Sequence, residues 1–94
     1  MPILSLKHKG LQKFFESGSG KLIRGDIRDK CRQKLDYLNE IADPSDCRVF
    51  GHFHTLTGDR QGQYALRISA NYRMTFRWDG RNVYDVDLED DYRT

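Results

Sequence analysis

His54-Thr-Leu-Thr-Gly-Asp-Arg-Gln-Gly-Gln-Tyr-Ala-Leu-Arg-Ile-Ser-Ala-Asn-Tyr-Arg-Met-Thr-Phe-Arg-Trp78 decides the fold of this 94-residue chain. After a polar loop, Tyr64, Leu66, Ile68 and Ala70 alternate with Arg67 and Ser69. Beyond a turn near Asn71, Tyr72, Met74, Phe76 and Trp78 alternate with Arg73, Thr75 and Arg77. Side chains of a strand point to opposite faces in turn. Two neighbouring strands with this pattern give a sheet with one apolar face and one face rich in arginine. The apolar face needs a cover. The arginine face suits phosphate, because guanidinium forks match phosphate oxygens and keep their charge.

Gly58 and Gly62 bracket the loop before the first of these strands, and Asp79-Gly80 signals a hairpin after the second. A third strand follows over Val83 to Leu88, with Tyr84, Val86 and Leu88 on one side and Asp85, Asp87 and Glu89 on the other. Its faces must match those of its neighbour, because a one-residue slip inverts every side chain. A plain two-residue loop fails that condition. The expectation is a three-residue loop, Asp79-Gly80-Arg81, that pairs Phe76 with Tyr84, Thr75 with Asp85 and Arg73 with Asp87. The third strand then neutralises some of the arginines.

Toward the N-terminus, Ile3 to Lys7 reads as a short edge strand behind Pro2. A helix is expected over roughly Lys9 to Ser17, with Leu11, Phe14 and Phe15 as its apolar stripe and Gly18-Ser-Gly20 as its stop. A second helix is expected from about Arg24 to Ala42. Ile27, Cys31, Leu35, Leu38 and Ile41 form its stripe, Asp26 and Asp29 suit its N-terminal half, and Asp43-Pro44 ends it. Asp43 to His54 reads as irregular, anchored by Val49, Phe50 and Phe53. The sum is an α+β chain: a small antiparallel sheet of three or four strands with two N-terminal helices packed on one face.

The length suits one small domain over residues 1–94. No apolar run is long enough to span a membrane, and the first residues lack the apolar core of a secretion signal, so the expected location is the cytoplasm. Cys31 and Cys47 form neither a disulfide framework nor a zinc motif and read as reduced thiols. The net charge of +2 hides an asymmetry. Residues 1–78 carry 14 Lys and Arg against 8 Asp and Glu, whereas residues 79–94 carry 2 against 6. A basic body with an acidic end suits a polyanion or an acidic partner, and also a merely solvated mixed surface. His8, His52 and His54 are too scattered for a metal motif, and neither a phosphate-cradling glycine loop before a helix nor a serine nucleophile elbow is present. The expectation is chemistry by side chains alone, without metal or cofactor.

His54 stands at the sheet edge before the glycine-flanked loop. An imidazole there can exchange protons near neutral pH or be an ordinary edge histidine. Asp91 and Tyr92 follow the third strand, and either project over the arginine face or fray as terminal residues do.

Three segments in the same order resemble HigB-type toxins, the plasmid-maintenance killer proteins of the RelE/ParE superfamily. They are Leu6-Lys-His-Lys-Gly-Leu11 through Phe14-Phe-Glu-Ser-Gly18, then His54 to Phe76 with Leu56, Gly58, Arg60, Gly62, Arg67, Asn71, Tyr72 and Arg73, and the ending Asp91-Tyr92. The resemblance spans nearly the whole chain and implies a RelE-like α+β fold. It implies an endoribonuclease that cuts messenger RNA in the A site of the 70S ribosome by attack of a ribose 2′-hydroxyl on the adjacent phosphate, without a metal. It implies a HigA-like helix-turn-helix antitoxin, with DNA met only through that antitoxin. Carried over by position, His54, Asp91 and Tyr92 become catalytic residues, and Arg60, Arg67, Arg73 and Arg93 become phosphate ligands. The family ending is Asp-Tyr-His, where this chain has Arg93, and Thr57 stands where a lysine is common. Arginine stays protonated near neutral pH, so proton transfer would fall to His54 and Tyr92. The competing readings are a ParE-like toxin that poisons gyrase by protein contact and a weakened relative that only binds an antitoxin.

Overall fold

The computed structural model describes residues 2–50 and 52–90. Two α-helices, α1 (Lys9–Ser17) and α2 (Arg28–Glu40), precede four antiparallel strands, β1 (Phe53–Thr55), β2 (Gln63–Arg67), β3 (Tyr72–Trp78) and β4 (Val83–Asp90). The strands lie in sequence order across the sheet. The edge segment at the N-terminus runs parallel to β4 through single bridges, Ile3 with Val83 and Leu6 with Val86.

His8 caps α1, its Nδ1 accepting from the Leu11 amide at 3.2 Å. Gly18 ends the helix at φ +78, a conformation that costs glycine little. Leu11 and Phe14 enter the core, while Phe15 stays at its rim. The second helix is shorter than its apolar stripe suggests. Arg24 pairs with Asp26 within a turn, and α2 begins only at Arg28, after Gly25. Glycine is a poor helix former. At the other end Ile41 is already extended, three residues before Pro44. Ile27, Cys31, Leu35 and Leu38 are buried as expected and Ile41 half-buried.

The stretch read as irregular holds a 3₁₀ helix, Pro44–Phe50. With three residues per turn, Pro44, Cys47 and Phe50 share its inner face. Val49 therefore points outward, 72% exposed, and is not an anchor. The Tyr37 ring meets Phe50 edge-on at 4.5 Å, and its hydroxyl donates to the Asp46 carbonyl. Cys31 and Cys47 are free and buried, which pushes both thiols up to about 11.

The core lies between the helices and one sheet face, where Leu11, Phe14, Leu35 and Leu38 cluster with Leu66, Met74, Phe76 and Val86. β2 stops at Arg67, three residues before Ala70. The Ile68 and Ser69 amides both turn to the Tyr72 carbonyl, and Ala70 is exposed.

The β3–β4 register differs from the expectation. Trp78 pairs with Val83, so the loop holds four residues, closed by Asp79 accepting from the Arg81 and Asn82 amides. That loop starts the hairpin one residue out of phase with its faces. A bulge then restores the phase: between Arg77–Tyr84 and Thr75–Asp87, Asp85 and Val86 oppose Phe76 alone, and Asp85 sits at φ +53. Beyond the bulge Arg73 faces Glu89, not Asp87, and Thr75 faces Asp87, not Asp85. The Ser5 hydroxyl receives the Asp85 amide at 2.8 Å, which ties the bulge to the edge segment.

Candidate active site

The face away from the helices carries the polar residues of the alternation. Cross-strand partners line up in rows on it. His54, Ala65, Thr75 and Asp87 form one row, and Arg67, Arg73 and Glu89 the next. Beside Arg67 the carbonyl of His52 accepts the Arg67 amide at 3.3 Å. His52 has a positive φ of 42, unusual for a residue with a side chain.

These rows border a cleft of ≈ 470 Å³, whose walls include His52, His54, Ala65, Arg67 and Arg73. His54 comes from the edge strand β1 and is exposed. Arg67 lies at the end of β2, its Nε donating to the Ser69 carbonyl at 3.3 Å, with its guanidinium largely open to solvent. Arg73 donates from Nη2 to Glu89 at 3.2 Å. The cleft thus joins an imidazole and two guanidiniums, a proton acceptor type beside two anion ligands.

Arg60 sits elsewhere. It reaches down from the turn Gly58–Arg60 and grips Glu89 with both terminal nitrogens, while Nε and Nη2 also donate to the Gln63 amide oxygen at 3.1 and 2.7 Å. It lines a separate cavity of ≈ 130 Å³ together with Asp85, Asp87 and Glu89. Sequence reading missed Glu89. It accepts from Arg60, from the Thr75 hydroxyl at 2.8 Å and from Arg73. The Arg60 hydrogen bonds, helped by Thr75 and Arg73, outweigh burial and hold its carboxyl down at about 2. The signal for Glu89 was its place on the arginine face of the third strand, obscured by the bulge. Asp91, Tyr92 and Arg93 lie outside the described residues. Among the described residues no cluster of three or more His, Cys, Asp or Glu could hold a metal ion.

Residues 4–92 match the family described as RelE-like toxin of type II toxin-antitoxin system HigB. The chain belongs to the HigB-like toxin family. It is 30% identical over 89 residues to "Endoribonuclease HigB" of Proteus vulgaris, covering 94% of this chain and 97% of that protein. It is 31% identical over 78 residues to "Toxin HigB-1" of Vibrio cholerae serotype O1, covering 80% of this chain and 82% of that one. In structure it resembles the YoeB/ParE toxin from Agrobacterium tumefaciens at TM-score 0.56 and 16% identity, over 93% of each chain. That likeness bears on the fold alone, the small RelE-like α+β architecture that the family resemblance implied. As a toxin of a type II system this HigB-like protein has an antitoxin as its partner. No helix among the described residues is long and apolar enough to cross a membrane.

Proposed function

We propose that this HigB-like toxin halts translation by cleaving messenger RNA in the A site of the ribosome, in the cytoplasm. The observation that carries the reading is the convergence of His54, Arg67 and Arg73 on one cleft. The kinship with a protein named endoribonuclease supports it. His54 accepts the proton of the ribose 2′-hydroxyl as its oxygen attacks the adjacent phosphorus. Arg67 and Arg73 receive the extra negative charge that gathers on the phosphate oxygens in the transition state, where preorganised donors contribute most. The bond from phosphorus to the 5′ oxygen breaks, and that oxygen takes a proton from an acid. The products are a 2′,3′-cyclic phosphate and a 5′-hydroxyl. The resemblance makes Asp91 and Tyr92 catalytic, with Tyr92 the residue left to donate that proton, and Arg93 keeps its charge and serves as a further phosphate ligand. Arg60 supports this cleft through Glu89.

The antitoxin is proposed to be a HigA-like helix-turn-helix protein that alone brings the complex to DNA. Purified components test the function. Toxin added to programmed 70S ribosomes should cut the message at the A-site codon and leave gyrase supercoiling unchanged. Intact message with altered supercoiling would replace the nuclease by a gyrase poison.

A further inference from the structure

A second cleft of ≈ 470 Å³ adjoins the first and shares His52, Arg67 and Ala70 with it. Its other wall is α2, which contributes Lys30, Gln33 and Lys34. Among the described residues no carboxylate lines either cleft. The contrast lies on the same sheet face, where the small cavity around Arg60 mixes its cations with Asp85, Asp87 and Glu89.

Lys34 is the anomaly. It is only 9% exposed. Its ammonium lies 3.8 Å from the centroid of the Phe50 ring. Burial lowers its affinity for a proton and the neighbouring Lys30 lowers it further, with Cys47 acting in the other direction. A buried cation is costly unless paired, and an aromatic face returns about 2 kcal/mol at best in ordinary cases. Lys30 and Lys34 also stand four residues apart on one helix, where like charges repel. An anion in the cleft would relieve both the burial and the repulsion.

We propose that Lys30 and Lys34, with Arg67 at the junction of the two clefts, form a second phosphate subsite that holds the backbone of single-stranded RNA next to the scissile nucleotide. Arg67 belongs to both clefts, so a chain leaving the first passes it to enter the second. Lys34 occupies a face of Phe50, so the subsite reads charge and not bases, and contacts of that kind position RNA without selecting its sequence. The inference rests on the proposed nuclease site, yet binding can be measured without cleavage.

The probe is a single-stranded 2′-O-methyl RNA of roughly twelve nucleotides, within the usual span of single-strand sites. It lacks the attacking hydroxyl. Its Kd is followed against salt for the wild type and for the double variant Lys30→Ala, Lys34→Gln. Two lost phosphate contacts should lower the slope of log Kd against log salt by about 1.4. Lys30→Ala alone, at an exposed position, should lower it by about 0.7 and serves if the double variant does not fold. A second arm measures binding to vacant ribosomes. A smaller slope with the oligonucleotide assigns the subsite to the message. An unchanged slope there with weaker ribosome binding overturns the message subsite and moves the two lysines to ribosomal RNA. Folded variants that keep both interactions overturn the inference, even if only their grip on the antitoxin weakens. Failure of the nuclease reading would show instead as intact message when the wild-type toxin meets programmed ribosomes.

Discussion

Arg67 and Arg73 are direct cross-strand partners on the cleft face of the sheet. Like charges in that position destabilise a sheet, and here only Arg73 has Glu89 beside it. The pair is thus an arrangement that a bound phosphate improves. Glu89 holds Arg73 in place, while Arg67 remains open to solvent. Changing Arg73 to Ala should reduce single-turnover cleavage on programmed ribosomes by roughly 100- to 1000-fold, or about 2.7–4 kcal/mol of transition-state stabilisation. Circular dichroism should show an intact fold. A folded variant that cleaves at the wild-type rate would confine Arg73 to its ion pair.

Glu89 makes stability depend on acid. Its carboxyl titrates at about 2 in the folded protein, below the ordinary 4.5, chiefly because Arg60 donates to the charged form. The folded state therefore binds the Glu89 proton less readily than the unfolded chain does. Its contribution is complete above the unfolded value and fades as pH falls through about 2. Urea melts at stepped pH should show Glu89→Gln less stable than the wild type at neutral pH, with the gap closing as the medium becomes acidic. A gap that stays constant down to the folded pKa would remove Glu89 from the acid response.

The bulge gives a sharper test of register. Asp85 holds φ at +53, where a β-branched residue is a severe outlier. Asp85→Val should destabilise by about 1–2 kcal/mol, the usual cost of left-handed geometry. Asp85→Gly should be close to neutral, since the bond from the residue 85 amide to the Ser5 hydroxyl survives. Equal thermal midpoints for the Val and Gly variants would contradict the bulged register.

That bulge also marks where the sequence stopped being legible. The alternation from Tyr64 to Trp78 was enough for the two faces, and the stripe through Ile27, Cys31, Leu35 and Leu38 was enough for the cover. Face matching required a correction of phase somewhere in the hairpin, but periodicity cannot tell a longer loop from a bulge. The structure puts the extra residue at Asp85, two positions further along in register, and Glu89 arrives opposite Arg73 in place of Asp87. That Arg67 and Arg73 share one face followed from alternation on neighbouring strands. His54 was read at the end of an irregular stretch and joined them only through the family resemblance, before β1 set it on that face. The separation of Arg60 from their cleft did not follow, because a turn residue has no period to betray its direction. Lys34 was invisible for a related reason: on a helix stripe a lysine reads as solvated, and only the packing of Phe50 encloses it.

Proton transfer is the last and most demanding test of the site. His54 lies in an exposed edge strand beside the two arginines, so replacing it should leave the core untouched. His54→Gln keeps a polar side chain but cannot take up a proton. It should lower single-turnover cleavage by about 100-fold or more, the range of general acid–base catalysis, with unchanged thermal stability. Arg93→His restores the family ending after Asp91-Tyr92 and adds a second group able to exchange protons near neutrality, so it should raise the rate. A wild-type rate in His54→Gln would make the assignment of the base wrong. No gain in Arg93→His would leave that position as a phosphate contact and move the acid step to Tyr92 or to the ribosome.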